Sequence, residues 1–261
     1  MNVRTYKDPQ AIGTAAAALF SAKVIENPHA VLGLATGSTP IPTYTKMAEM
    51  YACGAVDFSG VTTYNLDEYV GLGHDHPQSY YYFMMDNLFR HINVPESSIH
   101  VLSGTASDSA AECAAYEKAI EAAGGIDLQI LGIGRNGHIA FNEPADAFAP
   151  VTHVVDLTQS TIEANTRFFS SSDEVPRQAL SMGIGSIMKA KAIVLIATGA
   201  DKAEAVKAMI TGPVTPQCPA SILQLHPNVT IMLDAPAASL LEHSDKNPHP
   251  YGWGFFITAA F

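Results

Sequence analysis

Cysteine, positive charge and long apolar runs are all scarce in this sequence, and each shortage closes off a class of function. The 261 residues include three cysteines, Cys53, Cys113 and Cys218, odd in number and widely spaced. That excludes a disulfide framework and any CxxC metal or redox pair, and it points to free thiols in a reducing cytosol. Lysine and arginine total 14 against 25 aspartates and glutamates, a formal net charge of -11 with no basic run. Nucleic acid and anionic membrane are therefore repelled, and an anionic ligand must be held by a few placed donors rather than by the overall field. No stretch approaches the roughly 18 apolar residues of a membrane span. The apolar segment Ala11–Phe20 follows Asp8 and runs on to Glu26, so it reads as an amphipathic first helix rather than the core of a signal peptide. A cytoplasmic location is the expectation. Also missing are the GK[ST] ending of a P-loop, the GxSxG nucleophile elbow and the HExxH zinc helix.

What is present is a globular composition, 48% hydrophobic and 15% charged. Short apolar runs rich in Val, Ile and Leu read as strands at Ala30–Ala35, Val61–Leu66, Ile99–Leu102, Leu128–Ile133, Thr152–Val155, Ala192–Thr198 and Val229–Leu233. Helical patterns lie between them near Ile41–Ala52, Ser79–Ile92, Ser109–Ala123 and Lys202–Ile210. Continuous apolar strands separated by helices predict an α/β, three-layer Rossmann-like fold, its mainly parallel central sheet covered by helices on both faces. No repeat, low-complexity tract or linker divides the chain, so one domain over 1–261 is expected.

In an open parallel sheet, ligands bind beyond the carboxyl ends of the strands. The polar and glycine-rich residues cluster at those ends. Thr36-Gly37-Ser38-Thr39 runs from the first strand into a helix, where hydroxyls, free N–H groups and the helix dipole suit a single phosphate. Lys202 opens a later helix, where a cation opposes the dipole unless an anion sits there, and Arg167 is a second candidate clamp. Tight capped turns and solvated cations are the plainer readings of these residues. Asp67 follows an apolar strand among aromatics, where desolvation would raise its proton affinity towards that of a useful base. The stretch Gly132–Pro144 sets Asn136, His138 and Glu143 within eight residues, an amide, an imidazole and a carboxylate suited to two-way proton transfer. His74 and His76 form an isolated HxH with no further ligand spacing, so neither a metal nor another cofactor is expected.

These motifs resemble those of the glucosamine-6-phosphate deaminases. The resemblance runs from Leu32–Pro40 through Asn65–Leu72, His76–Tyr81, Gly137–Pro144 and Asn165–Phe169 to Ser221–Pro227, and leaves out only the tail from Pro250 to Phe261. It implies that D-glucosamine 6-phosphate and water give D-fructose 6-phosphate and ammonia. It also implies that His138 opens the pyranose ring, that Glu143 and Asn136 orient it, and that Asp67 moves a proton from C2 to C1. Thr36, Gly37, Ser38, Thr39, Arg167 and Lys202 would hold the phosphate of this small-molecule substrate. Many members carry aspartate where Asn136 stands. Allosterically activated members carry a basic pair where this chain has His153 and Val155, so an N-acetylglucosamine 6-phosphate effector site is not implied. A 6-phosphogluconolactonase-like hydrolase and a non-catalytic sugar-phosphate sensor are the competing readings. Phe141-Asn142-Glu143-Pro144 favours the deaminase over the first, and the joint presence of Asp67, His138 and Glu143 argues against the second. A homo-oligomer stays open.

Overall fold

The computed structural model describes residues 1–158, 162, 169 and 174–241. Ten strands make two sheets. β1 (Asn2–Tyr6), β2 (Val31–Leu34), β3 (Thr62–Asn65), β5 (Ile99–His100), β6 (Leu128–Leu131), β9 (Ile193–Ala197) and β10 (Val229–Asp234) form a seven-stranded sheet in the order β1-β10-β9-β6-β2-β3-β5. Every pairing in it is parallel. β4 (Asp67–Tyr69), β7 (His153–Asp156) and β8 (Gln178–Ser181) form a three-stranded antiparallel sheet in the order β4-β8-β7.

The sequence accounts for most of this. Every residue of β2, β6 and β9 is buried, as expected of apolar strands covered on both faces. α1 (Pro9–Glu26) starts with Pro9 at its first position and Asp8 accepting the Ala11 N–H at 2.7 Å, and it buries Ile12, Ala16, Phe20 and Val24 at helical spacing. The chain moves one way along the sheet from β2 through α2 (Ile41–Ala52) to β3. α3 (Tyr80–Asn87) follows β4, and α4 (Ser109–Ala122) is capped by Asp108, which accepts from the Ala110 and Ala111 N–H groups. The short α5 (Ile184–Met188) leads into β9, from which the chain moves the opposite way through α6 (Ala203–Thr211) to β10. Right-handed crossovers then put α2 and α6 on opposite faces.

Three readings of the sequence are corrected. The strand at Thr152–Val155 is β7, an antiparallel member of the small sheet with an alternating burial pattern, and not part of the parallel sheet. Asp67 does not trail off a strand that ends at Leu66. β3 stops at Asn65, and Asp67 begins β4, paired with Ser181. β1, β4 and β8 went unread because none carries a long apolar run.

The reversal of strand order falls between β2 and β6, and that opens a crevice at their carboxyl ends. α2 starts at this crevice and packs on α1. A side chain added at Gly13 of α1 would begin 2.5 Å from Pro42 Cβ and 2.6 Å from the Pro42 carbonyl carbon. Alanine usually stabilises a helix by about 0.5–1 kcal/mol over glycine. Here the sign reverses. Gly13→Ala should destabilise by roughly 1–3 kcal/mol through overpacking, read as a lower urea midpoint at unchanged slope.

Candidate functional site

Four loops meet at the crevice because their strands are neighbours. Thr36–Thr39 follows β2, the turn Leu66 follows β3, Gly132–His138 follows β6 and Thr198–Lys202 follows β9. The β2 loop leads to Pro40, and among the described residues no side chain caps the first turn of α2. Thr36 and Thr39 are half-buried, and Gly37 and Ser38 are exposed. Just before them, the buried Tyr44 hydroxyl accepts the Ala35 N–H at 3.1 Å and donates to the Ala35 carbonyl at 2.5 Å. The loop is thus held at its base while its donors stay open at a helix N-terminus, the chemistry of an anion cradle.

Across the crevice, Lys202 precedes α6 at the end of the short turn Ala200–Lys202. Its ammonium is mostly buried, and burial lowers its pKa. Asp201 Oδ2 lies 4.0 Å from Lys202 Nζ but 2.9 Å from Arg135 Nε, so Arg135 is the nearer counter-ion. The buried Asp234 fixes this loop by accepting the Gly199 N–H at 3.0 and 3.1 Å and the Ala237 N–H at 2.8 Å. Sequence reading gave no role to Arg135, although it stands in the stretch Gly132–Pro144, or to Asp234. Only long-range contact identifies what they hold. Arg167 lies outside the described residues.

The β6 loop carries the imidazole. His138 packs on Gly134, where a side chain would begin within 2.5 Å of three ring atoms. His138 Nδ1 lies 3.3 Å from Glu143 Oε1, within ion-pair distance but off the line of a hydrogen bond. Asn136 Nδ2 donates to Glu143 Oε2 at 2.5 Å, and Asn136 Oδ1 accepts the His138 N–H at 3.2 Å. Amide, imidazole and carboxylate therefore form one closed group. The loop turns back at Ala140, whose φ of 49° is left-handed, and Asn142 secures that turn by donating to the Ile139 carbonyl at 3.0 Å. Behind the loop lies a cavity of about 170 Å³ lined in part by Phe141, Glu143, His153 and Val155.

Asp67 is 7% exposed and Glu68 is 0% exposed. Burial, reinforced by the neighbouring Glu68 charge, pushes the Asp67 carboxyl up to about 8. Burial also raises Glu68, to about 7, against three backbone N–H donors that favour its anion. These donors are Tyr69 at 2.8 Å, Tyr80 at 2.9 Å and Tyr81 at 3.0 Å. The last two begin α3, which Ser79 also caps. The rings of Tyr69, Tyr80 and Phe141 pack with centroids 4.7–6.1 Å apart and join β4, α3 and the His138 loop. His74 stacks on Tyr81 at 3.9 Å, and His76 Nδ1 accepts the Gln78 N–H, so both imidazoles of the HxH already have partners.

The sequence model of the family described as glucosamine-6-phosphate isomerases/6-phosphogluconolactonase matches residues 7–232. The glucosamine-6-phosphate deaminase of Thermoanaerobacter pseudethanolicus is 57% identical over 88% of this chain and 91% of its own length. That of Alkaliphilus metalliredigens is 53% identical over 93% of this chain and all of its own. A solved monomeric glucosamine-6-phosphate deaminase superposes with a TM-score of 0.90 at 44% identity, over 92% of this chain and 100% of that one. A 6-phosphogluconolactonase from Trypanosoma cruzi reaches 0.73 at 19% identity, over 92% and 96%, which speaks for the fold alone.

A raised buried carboxyl has a stability cost with a definite sign. Asp67 unfolded titrates near 3.9 and folded near 8, so its contribution is fully present below about pH 4 and is lost as pH rises towards 8. Asp67→Asn has no such loss. Its unfolding free energy from urea titration should pull ahead of the parent's between about pH 4 and 8, by more than about 1 kcal/mol at the upper end. A constant gap would mean that Asp67 titrates like an ordinary aspartate.

Proposed function

The chain belongs to the glucosamine-6-phosphate isomerase/6-phosphogluconolactonase family, and we infer that it is a glucosamine-6-phosphate deaminase, converting D-glucosamine 6-phosphate and water to D-fructose 6-phosphate and ammonia. The observation that carries the reading is the joining of two proton-transfer groups through one strand. β8 pairs Ser181 with Asp67, and the Ser181 hydroxyl accepts the Phe141 N–H of the His138 loop at 3.0 Å.

His138 takes the proton of the anomeric hydroxyl and delivers it to the ring oxygen as the C1–O5 bond breaks, which opens the pyranose. Glu143 steadies the transient imidazolium, and Asn136 holds Glu143 in place. In the open aldehyde, Asp67 removes the C2 proton. The electron pair moves into a C1–C2 double bond, O1 gains the proton that the C2 ammonium of the substrate gives up, and an enolamine results. Asp67 then returns its proton to C1, leaving an imine at C2 that water hydrolyses to the ketone and ammonia. A carboxyl that titrates near neutrality suits both halves of this transfer, because a strongly acidic one would accept poorly from carbon. The phosphate sits on Thr36, Gly37, Ser38 and Thr39 at the start of α2, facing Lys202. No metal enters any step. Three unpaired thiols and a charged metabolite as substrate support a cytoplasmic location for the reaction. No helix among the described residues is long and apolar enough to cross a membrane.

Purified protein with glucosamine 6-phosphate and EDTA should release ammonia and fructose 6-phosphate in equal amounts. Hydrolysis of 6-phosphogluconolactone without ammonia release would install the competing activity instead. Asp67→Asn should retain substrate binding but lose on the order of 10²–10⁴ in turnover, with almost no C2 exchange in deuterated water. Exchange at the parental rate removes Asp67 from the mechanism. Lys202→Ala should raise KM by about 10- to 150-fold, the equivalent of roughly 1.5–3 kcal/mol for a charge-assisted bond. An unchanged KM would put the phosphate elsewhere.

A further inference from the structure

Glu68 has no part in the mechanism above, yet it is the most completely enclosed carboxylate near the crevice, with three backbone N–H groups on its two oxygens. Such donors have no acceptor capacity, so they favour the anion over the protonated carboxyl. Among the described residues, no comparable donor is seen on Asp67. When this adjacent pair carries a single proton, hydrogen bonding assigns the proton to Asp67 and the charge to Glu68.

On that basis, and resting on the reading of Asp67 as the C2 base, we propose that Glu68 is a positioning residue for proton transfer, a buried carboxylate singled out by its three backbone donors to carry the charge of the pair, which both anchors β4 to the start of α3 and keeps Asp67 strongly proton-attracting. Adjacent strand residues point to opposite faces of their sheet. Glu68 therefore stays clear of the substrate while its charge remains one residue from the base. Among the described residues, no cation is seen to intervene. The titratable groups whose charge couples to Asp67 are Glu68 itself, Tyr44 from α2, Tyr69 from β4, Tyr80 from α3 and Tyr116 from α4. The four phenols are all pushed up by burial and stay neutral in the working range, which leaves Glu68 as the one group in this set that sets the local field. The arrangement also couples chemistry to structure. The helix end that stabilises the Glu68 anion is the one whose Tyr80 ring packs on Phe141, three residues after His138.

The sign follows from like-charge repulsion. A nearby anion disfavours ionisation of Asp67, so removing it lets the base ionise at lower pH. Glu68→Gln should move the acid limb of the kcat/KM profile for glucosamine 6-phosphate down by on the order of one pH unit or more. The substrate's own amine and phosphate ionisations are common to both proteins and cancel in the comparison. Ser79→Ala, which weakens the same helix end through the Tyr82 N–H but keeps the charge, should lower stability and leave the limb in place. An unmoved limb in Glu68→Gln, or an equal movement in Ser79→Ala, overturns the proposal. If Glu68→Gln does not fold, the parent protein still decides. With carboxyl-labelled aspartate and glutamate, the Asp67 carbon, assigned by its absence in Asp67→Asn, should titrate at higher pH than that of Glu68. Titration of Asp67 in the ordinary aspartate range refutes the inference. A parent protein that makes no ammonia at any pH would sink the deaminase reading separately, and the titration order would remain to judge the pair.

Discussion

The end of β8 is the constraint on which the geometry of the site depends. Ser181 and Met182 are held in turn by β4 and by the His138 loop, through four independent links. Ser181 stands opposite Asp67 in the ladder, and the Met182 N–H donates to the Leu66 carbonyl at 2.7 Å. The Ser181 hydroxyl accepts the Phe141 N–H at 3.0 Å, and the Met182 carbonyl accepts Asn142 Nδ2 at 2.8 Å. All of these groups are buried, so an unmade bond costs about 1–3 kcal/mol rather than being replaced by water. The small sheet is therefore the structural reason that a carboxyl on one element and an imidazole on another keep a fixed relation. The parallel sheet sets only the approximate neighbourhood.

Within that frame the proposed mechanism asks the site to separate two opposite electrostatic tasks. At one end a phosphate must be attracted by a chain whose net charge repels it. The means are local: an uncapped helix start, open loop donors, and a lysine whose nearest carboxylate is already engaged by Arg135. At the other end a carboxyl must prefer its proton, and for that burial and a neighbouring anion are the right surroundings. A cation within reach of Asp67 would help to bind a phosphate and would spoil the base. Keeping Lys202 on the β9 side of the sheet and Asp67 on the β3 side answers both needs, since β6 and β2 lie between them.

Sequence reading reached the parallel sheet and the strand-end loops because both follow from local rules. Apolar runs such as Ile193–Ala197 report burial on two faces, and a chain that leaves such a strand must expose polar backbone at its end, where Thr36 and His138 stand. It did not reach the antiparallel sheet. β4 is Asp67-Glu68-Tyr69, two acids in three residues, and no propensity scale makes that a strand. It is one because Glu68 can satisfy three N–H groups in the interior and because β8, far along the chain, offers a partner. Asp234 was illegible for the same reason. It ends a strand like any other acid, and only its reach back to Gly199 shows what it fixes. Local pattern thus picked out the candidate residues, and long-range hydrogen bonds determine how they are aimed.

This division bears on why one fold can serve both halves of the family description. Lactone hydrolysis needs a base for water and donors for an oxyanion, and it removes no proton from carbon. An oriented imidazole such as His138 beside Glu143 suits either chemistry, as does a phosphate cradle at the switch point, so neither discriminates. Abstraction at C2 is different. A carbon acid demands a base whose proton affinity is high in the ground state, and a protein pays for that base in stability by enclosing a carboxyl that would ionise readily in water. Asp67 is enclosed in this way, and a second carboxylate beside it, whose anion three backbone N–H groups favour, deepens the cost. A lactone hydrolase would gain nothing from carrying that burden. On the proposed mechanism, the Asp67–Glu68 pair on its short strand, rather than the more conspicuous histidine loop, is the part of this molecule that suits carbon-acid chemistry over ester hydrolysis.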